Sequence, residues 1–307
     1  DLVVRPGAEV GAPAGVQLLP NVNGVILVNN TKTGAAGTSR SIGIRRRLGT
    51  NVVEVYGSIA RGAGVYTNYV SVPKPALVFV SMLRQMLEQK GVVVTGQTRA
   101  VDAEFRKNAP LPVNPVEITK LESPPLSLIA AKTMKPSQNL YTELILRAMG
   151  ESIGDKTNPR WTSANRGIAV VDKFLREIGV APGSVLMYDG SGLSRHDLIT
   201  PNAVVQLYSY MSRSKAASAW RESLTVAGVD GTLKDRFKGT RAENNVRGKT
   251  GTIDQVSSLS GYMTTAAGER LVFSFLSNNI PGESLRTGTI DEIVVLLANF
   301  NGSTNQP

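Results

Sequence analysis

The chain has 307 residues, 41% of them hydrophobic and 19% charged, with a formal net charge of +10 at pH 7 and a pI near 9.9. That length can bury a core for one large domain or two, and no apolar run approaches a membrane span. There is no cysteine and one histidine, His196, so disulfides, thiolate nucleophiles and multi-histidine metal centres are excluded.

The opening DLVVRPGAEVGAP lacks the basic and apolar regions of a signal peptide, and a start at Asp1 within strand-like sequence reads as a processed or cut chain. The runs GVILVNN, SIGIRRR and NVVEVYGSI predict short strands parted by Gly, Asn and Thr turns, so residues 1–72 read as a β-rich domain. The densest basic cluster, Arg45-Arg46-Arg47, falls in such a strand and turn and reads as a solvated face. The positive charge favours an anionic surface, such as lipid or wall polymer. Aromatic residues are not interleaved with the basic ones, so no nucleic-acid partner is expected.

After Pro73-Lys74-Pro75 the pattern changes. ALVFVSMLRQMLEQKG has helical spacing and ends at Gly91, and VVVTGQTR then predicts a strand. Ser123-Pro124 predicts an N-cap and first turn for a helix to about Lys132. Further helices are predicted in NLYTELILRAMG, closed by Gly150, in GIAVVDKFLREIG, closed by Gly179, and after Thr200-Pro201. GYMTTAAGERLVFSFLSNN predicts a hairpin turning at Ala-Gly, and TIDEIVVLLANF a helix with a capping box from Thr289 to Glu292. The tail NGSTNQP is expected to fray. Residues 73–307 thus read as a second, α+β domain.

The stretch RGKTGTIDQV, residues 247–256, sets an ammonium, hydroxyls and a glycine at the start of a predicted strand. A phosphate loop is excluded: Glu243 stands where the glycine is needed, and a strand rather than a helix follows. Two readings stay open. One is a plain turn and strand start. The other is a carboxylate-binding strand edge, with a charge from Lys249 and hydroxyls from Thr250 and Thr252. Gly251 would leave room for an extended ligand, and the Thr252 N–H would aim at a carbonyl under attack. The second reading needs a hydroxyl and an amide elsewhere. Ser137 and Asn139, in MKPSQNLYTE at a predicted helix junction, could provide them.

Lys-Thr-Gly belongs with Ser-x-x-Lys and Ser-Asp-Asn in the motif set of penicillin-binding proteins and serine β-lactamases. The stretches MKPSQNLYTELILRAMG, YDGSGLSRHDLITP, AGVDGTLKDRF, VRGKTGTIDQVSSLSGYM and LVFSFLSNN resemble the D-alanyl-D-alanine carboxypeptidase/endopeptidase family, the class C penicillin-binding proteins of peptidase family S13. The resemblance implies a transpeptidase-like α+β domain, preceded here by the remnant of a β-rich inserted domain. It implies a serine-type peptidase of the periplasmic or other extracytoplasmic envelope, acting on peptidoglycan peptide stems, inhibited by β-lactams and needing no cofactor or metal. Lys249, Thr250, Gly251 and Thr252 would hold the substrate carboxylate. Ser137 would relay a proton, Asn139 would bind the substrate amide and Ser191 would line the site. Asp189 reads as a turn residue and His196 as a surface residue. Gln138 stands where the family often has Asp.

The family's nucleophile lies in a Ser-x-x-Lys pair. Of the two matches present, Ser71-Val-Pro-Lys74 is followed by Pro75, which drives Lys74 out of helical geometry. Ser212-Arg-Ser-Lys215 lies at the C-terminal end of a predicted helix, where the dipole opposes a developing anion. The nucleophile is therefore expected in an N-terminal segment missing from this chain, which alone would be catalytically incomplete. The alternative is a non-catalytic module that binds wall peptides.

Overall fold

The computed structural model describes the chain except residues 22–23, 73, 110–112, 115, 118 and 304–307. Pro73, at the expected domain boundary, and the last residues of the expected frayed tail lie outside the described residues. By its contacts the chain divides into two compact units, Asp1–Ile118 and Thr119–Pro307.

In the first unit, alternating β-branched residues build six strands. Strands β1 (Leu2–Arg5), β2 (Gly15–Leu18) and β6 (Tyr66–Asn68) form one sheet in the order β2-β1-β6. Strands β3 (Ile26–Gly34), β4 (Gly43–Arg46) and β5 (Val52–Ala60) form another, with β5 central, parallel to β3 and antiparallel to β4. Leu2, Val4, Val53, Val55 and Ile59 are its core. The arginine run is not wholly solvated: Arg45 Nε donates to Glu54 at 2.9 Å, and the Arg46 guanidinium donates to the Ser71 carbonyl. Helix α1 (Pro75–Gln89) belongs to this unit, has no buried residue and is followed by Gly91 at φ 80°. The short α2 (Ala103–Asn108) follows. The strand predicted from VVVTGQTR does not form; the Arg84 guanidinium takes the Val94 and Gly96 carbonyls at 2.9 and 3.0 Å in place of a ladder.

The second unit is an antiparallel sheet flanked by helices. Strand β9 (Thr225–Val226) is a stub beside β10 (Arg247–Ile253), followed by β11 (Val256–Thr264) and β12 (Arg270–Ser277), in the order β12-β11-β10-β9. The predicted hairpin turns at Gly268, φ 82°. On one side of the sheet, Leu259, Met263 and Phe273 bury against Ile290, Val294 and Ala298 of α8 (Glu283–Asn299). On the other, Tyr262 packs on Tyr208 of α6 (Pro201–Met211) and Trp220 of α7 (Ala217–Ser223). Helices α3 (Leu126–Met134), α4 (Asn139–Ser152) and α5 (Ser163–Glu177), with the two-residue strands β7 (Val185–Leu186) and β8 (Leu198–Ile199), complete the unit.

Three helix boundaries differ from those predicted. Helix α3 starts at Leu126, with Pro125 at its N-cap (φ −52°, ψ 144°), because the Pro-Pro pair keeps the preceding residue extended. Helix α4 runs through Gly150, which serves an interhelical contact instead of a cap. A Cβ there would stand 1.9 Å from the Ser163 carbonyl, and one at Gly167 of α5 would stand 2.2 Å from the Leu146 carbonyl. Helix α8 begins at Glu283, so Thr289 lies inside it and caps nothing.

Candidate active site

The site forms where the start of α4 meets β10. Helix α3 ends at Met134, and the chain turns through Ser137, whose φ of 60° is left-handed. The turn is closed by Gln138 N donating to Thr133 O at 2.8 Å and Ser137 N to Met134 O at 3.3 Å. A non-glycine residue in this region carries a cost on the order of 1 kcal/mol, so the surroundings must hold it there. Across from it, the cross-strand partner of Lys249 is Ser260, on the face of the sheet that carries Tyr262. Lys249 Nζ donates to Ser137 Oγ at 2.7 Å and to the Thr250 carbonyl at 2.5 Å.

These groups line one cavity of about 480 Å³. It brings together all seven residues singled out from the sequence: Ser137, Asn139, Ser191, Lys249, Thr250, Gly251 and Thr252. Among the described residues Lys249 is the one charged residue lining it, so the cavity is a positive site walled by hydroxyls and amides. Burial pushes the Lys249 ammonium down to about 8.

The edge of β10 is open where the ligand reading requires it. β9 pairs only with Arg247 and Gly248, and Thr225 Oγ1 donates to the Gly248 carbonyl at 2.9 Å. Residues two apart on a strand face the same edge. Thr250 and Thr252 therefore present backbone groups on the side of Gly248, beyond the end of β9. Gly251 has a second reason to lack a side chain: a Cβ would stand 2.6 Å from Ser258 Oγ on β11.

The loop after β7 supplies the third wall. The Asp189 carboxylate accepts from Ser191 N, Gly192 N and Ser194 N at 2.8, 2.7 and 2.9 Å and from Ser191 Oγ at 3.0 Å, so it is the turn residue predicted. Burial works to raise this carboxyl, but those donors hold it below its ordinary range. Glu143 of α4 accepts from Gly190 N at 2.8 Å and fixes the loop to the helix. The Ser191 hydroxyl is thus engaged within its own turn. His196 is exposed beside Tyr188 and lies outside the cavity.

Thr232 was not foreseen. It lines the cavity, and its Oγ1 accepts from Thr250 Oγ1 at 2.7 Å. Its signal lies in AGVDGTLKDRF, one of the stretches that carry the family resemblance. Neither Ser-x-x-Lys match has a nucleophile's geometry. Lys74 is left-handed at φ 50°, and Ser212 is the exposed C-cap of α6, its Oγ donating to the Ser209 carbonyl. Neither serine lines the cavity.

The family model described as the D-Ala-D-Ala carboxypeptidase 3 (S13) family matches residues 2–300. A D-alanyl-D-alanine carboxypeptidase of Actinomadura sp. (strain R39) is 36% identical over 310 residues, covering 98% of this chain and 55% of the relative. The D-alanyl-D-alanine carboxypeptidase DacB of Haemophilus influenzae is 30% identical over 202 residues, 64% of this chain and 41% of the relative. The chain thus spans about half the length of the curated relatives it matches. In fold it is similar to penicillin binding protein 4 of Haemophilus influenzae, solved with a β-lactam, at a TM-score of 0.69 and 21% identity over 95% of this chain and 67% of that one.

Proposed function

Because the chain belongs to the D-Ala-D-Ala carboxypeptidase 3 (S13) family, we propose that its cavity grips the terminal D-Ala of peptidoglycan peptide stems in a serine-type carboxypeptidase/endopeptidase, and that β-lactams occupy the same place. The observation that carries this reading is the 2.7 Å contact between Lys249 Nζ and Ser137 Oγ beside an open strand edge. The Lys249 charge and the Thr250 and Thr252 hydroxyls bind the substrate carboxylate. A charge-assisted hydrogen bond of this kind contributes about 1.5–3 kcal/mol. The substrate backbone lies along β10, with the Asn139 amide holding its other side and the Thr252 N–H facing the scissile carbonyl.

A serine hydroxyl adds to that carbonyl, the C–N bond to the terminal D-Ala breaks, and the departing amine takes a proton relayed through Ser137. Water then hydrolyses the ester. We assign the attacking serine to a Ser-x-x-Lys pair outside this chain, because neither internal match has the geometry. Membership of this family supports a location outside the cytoplasm, where a charge of +10 would draw the chain toward anionic envelope polymers. Among the described residues no helix is long and apolar enough to cross a membrane.

Titration of the chain with benzylpenicillin, followed by intact-mass measurement, tests both parts. The expected result is reversible binding, lost in Lys249→Ala, with no added mass after denaturation. A covalent adduct would put the nucleophile inside the chain. Absence of any binding would overturn the carboxylate site.

A further inference from the structure

Ser137 is poorly held by its own turn, which has one good internal hydrogen bond and one at 3.3 Å. The remaining restraint comes from a segment far along the chain. Lys135 Nζ donates to the Leu224 carbonyl at 3.0 Å and to Asp230 Oδ2 at 2.5 Å, and its own carbonyl accepts from Thr232 N at 3.1 Å. A Cβ at Gly231 would stand 2.5 Å from that same carbonyl, so the two backbones are in close approach.

The segment that takes hold of Lys135 is also fastened to β10. Thr225 and Val226 pair with Gly248 and Arg247, and Thr232 Oγ1 accepts from Thr250 Oγ1 at 2.7 Å. Asp230 locks the segment internally, its Oδ1 accepting from Val226 N at 2.8 Å. Residues 224–232 therefore form a bracket with the Ser137 turn on one arm and the Lys249 strand on the other. Lys135 and Asp230 stand outside the cavity lining and touch no reacting atom.

We infer that the Lys135–Asp230 ion pair is a positioning device that sets the Ser137 turn against β10 and keeps Ser137 Oγ in reach of Lys249 Nζ. The role given to Ser137 rests on the proposed function; the mechanical coupling does not. Lys135 acts through Ser137, so its removal disturbs the pocket without removing any group that binds ligand.

The test uses the whole chain labelled with ¹³C at the lysine Cε, with the Lys249 signal assigned by its loss in Lys249→Arg. Lys135→Met leaves the Asp230–Val226 bond and the Thr232–Lys135 backbone bond intact and removes the side-chain hold on the turn, which loosens. Water then reaches the Lys249 ammonium, and its titration midpoint rises from about 8 by roughly one unit, while affinity for a peptide ending in D-Ala-D-Ala falls roughly tenfold. Lys135→Arg restores both readings. Lys238→Met, which breaks the exposed Lys238–Asp235 pair, leaves both unchanged. A folded Lys135→Met protein with wild-type midpoint and affinity overturns the inference. If Lys135→Met does not fold, Asp230→Asn is read in the same way, since its amide oxygen can still accept from Val226 N. If no peptide binds even the wild type, the proposed function fails while the midpoint still decides the positioning role.

Discussion

Lys249 and Ser137, 112 residues apart in sequence, meet through a single 2.7 Å hydrogen bond from the ammonium to the hydroxyl. One end of that bond is a left-handed turn after α3, the other a strand whose neighbour stops early, and residues 224–232 are fastened to both. Burial brings the lysine to about 8, so its charge changes within an accessible pH range.

Carboxylate affinity should therefore follow the protonated fraction of Lys249. Binding of a D-Ala-D-Ala peptide or benzylpenicillin is expected to be level below about pH 7 and to fall as pH rises through about 8, approaching tenfold per unit. Calorimetric titration from about pH 6 to about pH 10 checks this. A flat profile would remove Lys249 from the binding interaction.

The same lysine makes stability depend on pH, and the sign is unusual. Its folded pKa is depressed from 10.5 to about 8, so between these values the unfolded chain holds more protons and wild-type stability rises with pH. Below about 8 the buried charge is a net cost. Lys249→Met should therefore stabilise the protein at neutral pH by on the order of 1–3 kcal/mol, with the advantage shrinking at higher pH, even as ligand binding is lost. Urea denaturation at two pH values measures the difference.

Gly150→Ala should be severe for one methyl group, because its Cβ would stand 1.9 Å from the Ser163 backbone carbonyl. Helices α4 and α5 would have to part, at a cost of about 2 kcal/mol or more. Gly96→Ala, with nothing within 4 Å of the added carbon, should stay within about 0.5 kcal/mol of wild type. Denaturation midpoints compare the two.

Tyr262→Phe removes a hydroxyl that accepts from Trp220 Nε1 at 2.9 Å and donates to the Tyr208 carbonyl at 2.6 Å. The Tyr208 carbonyl keeps the Ser212 N–H at 2.9 Å, but the Trp220 Nε1–H loses its acceptor, at a cost of about 1–3 kcal/mol. Lower thermal stability and altered Trp220 emission are the expected readings. Unchanged stability would mean that solvent replaces the hydroxyl.

Much of the site could be read from the residues in order. Lys249, Thr250 and Thr252 stood in a chemically distinctive run, and Ser137 and Asn139 followed a helix-ending proline. Thr200 and Gly179 marked helix ends by local rules, and the structure keeps them there: Thr200 Oγ1 accepts from Ala203 N at 3.2 Å, and Gly179 sits at φ 90°. What could not be read depended on distant partners. Gly150 has the local signature of a cap, and only its neighbour on α5 reveals a crossing point. Thr289 and Glu292 have the spacing of a capping box, but the helix starts earlier because Arg286 is buried and donates to Ser257 Oγ at 3.0 Å. Lys135 and Asp230 are ordinary charged residues until the fold spans the 95 positions between them.

The brevity of β9 limits what can lie beside β10. An extended peptide taking up the strand direction that β9 abandons would run antiparallel to β10, its C-terminal end heading toward Lys249. Just past that lysine the way is filled, because Thr225 already sits opposite Gly248. A polypeptide continuing in the same line would collide with this stub, whereas one that terminates at the ammonium fits. Under the proposed function the two-residue strand would act as a length gauge, favouring ligands by where they stop.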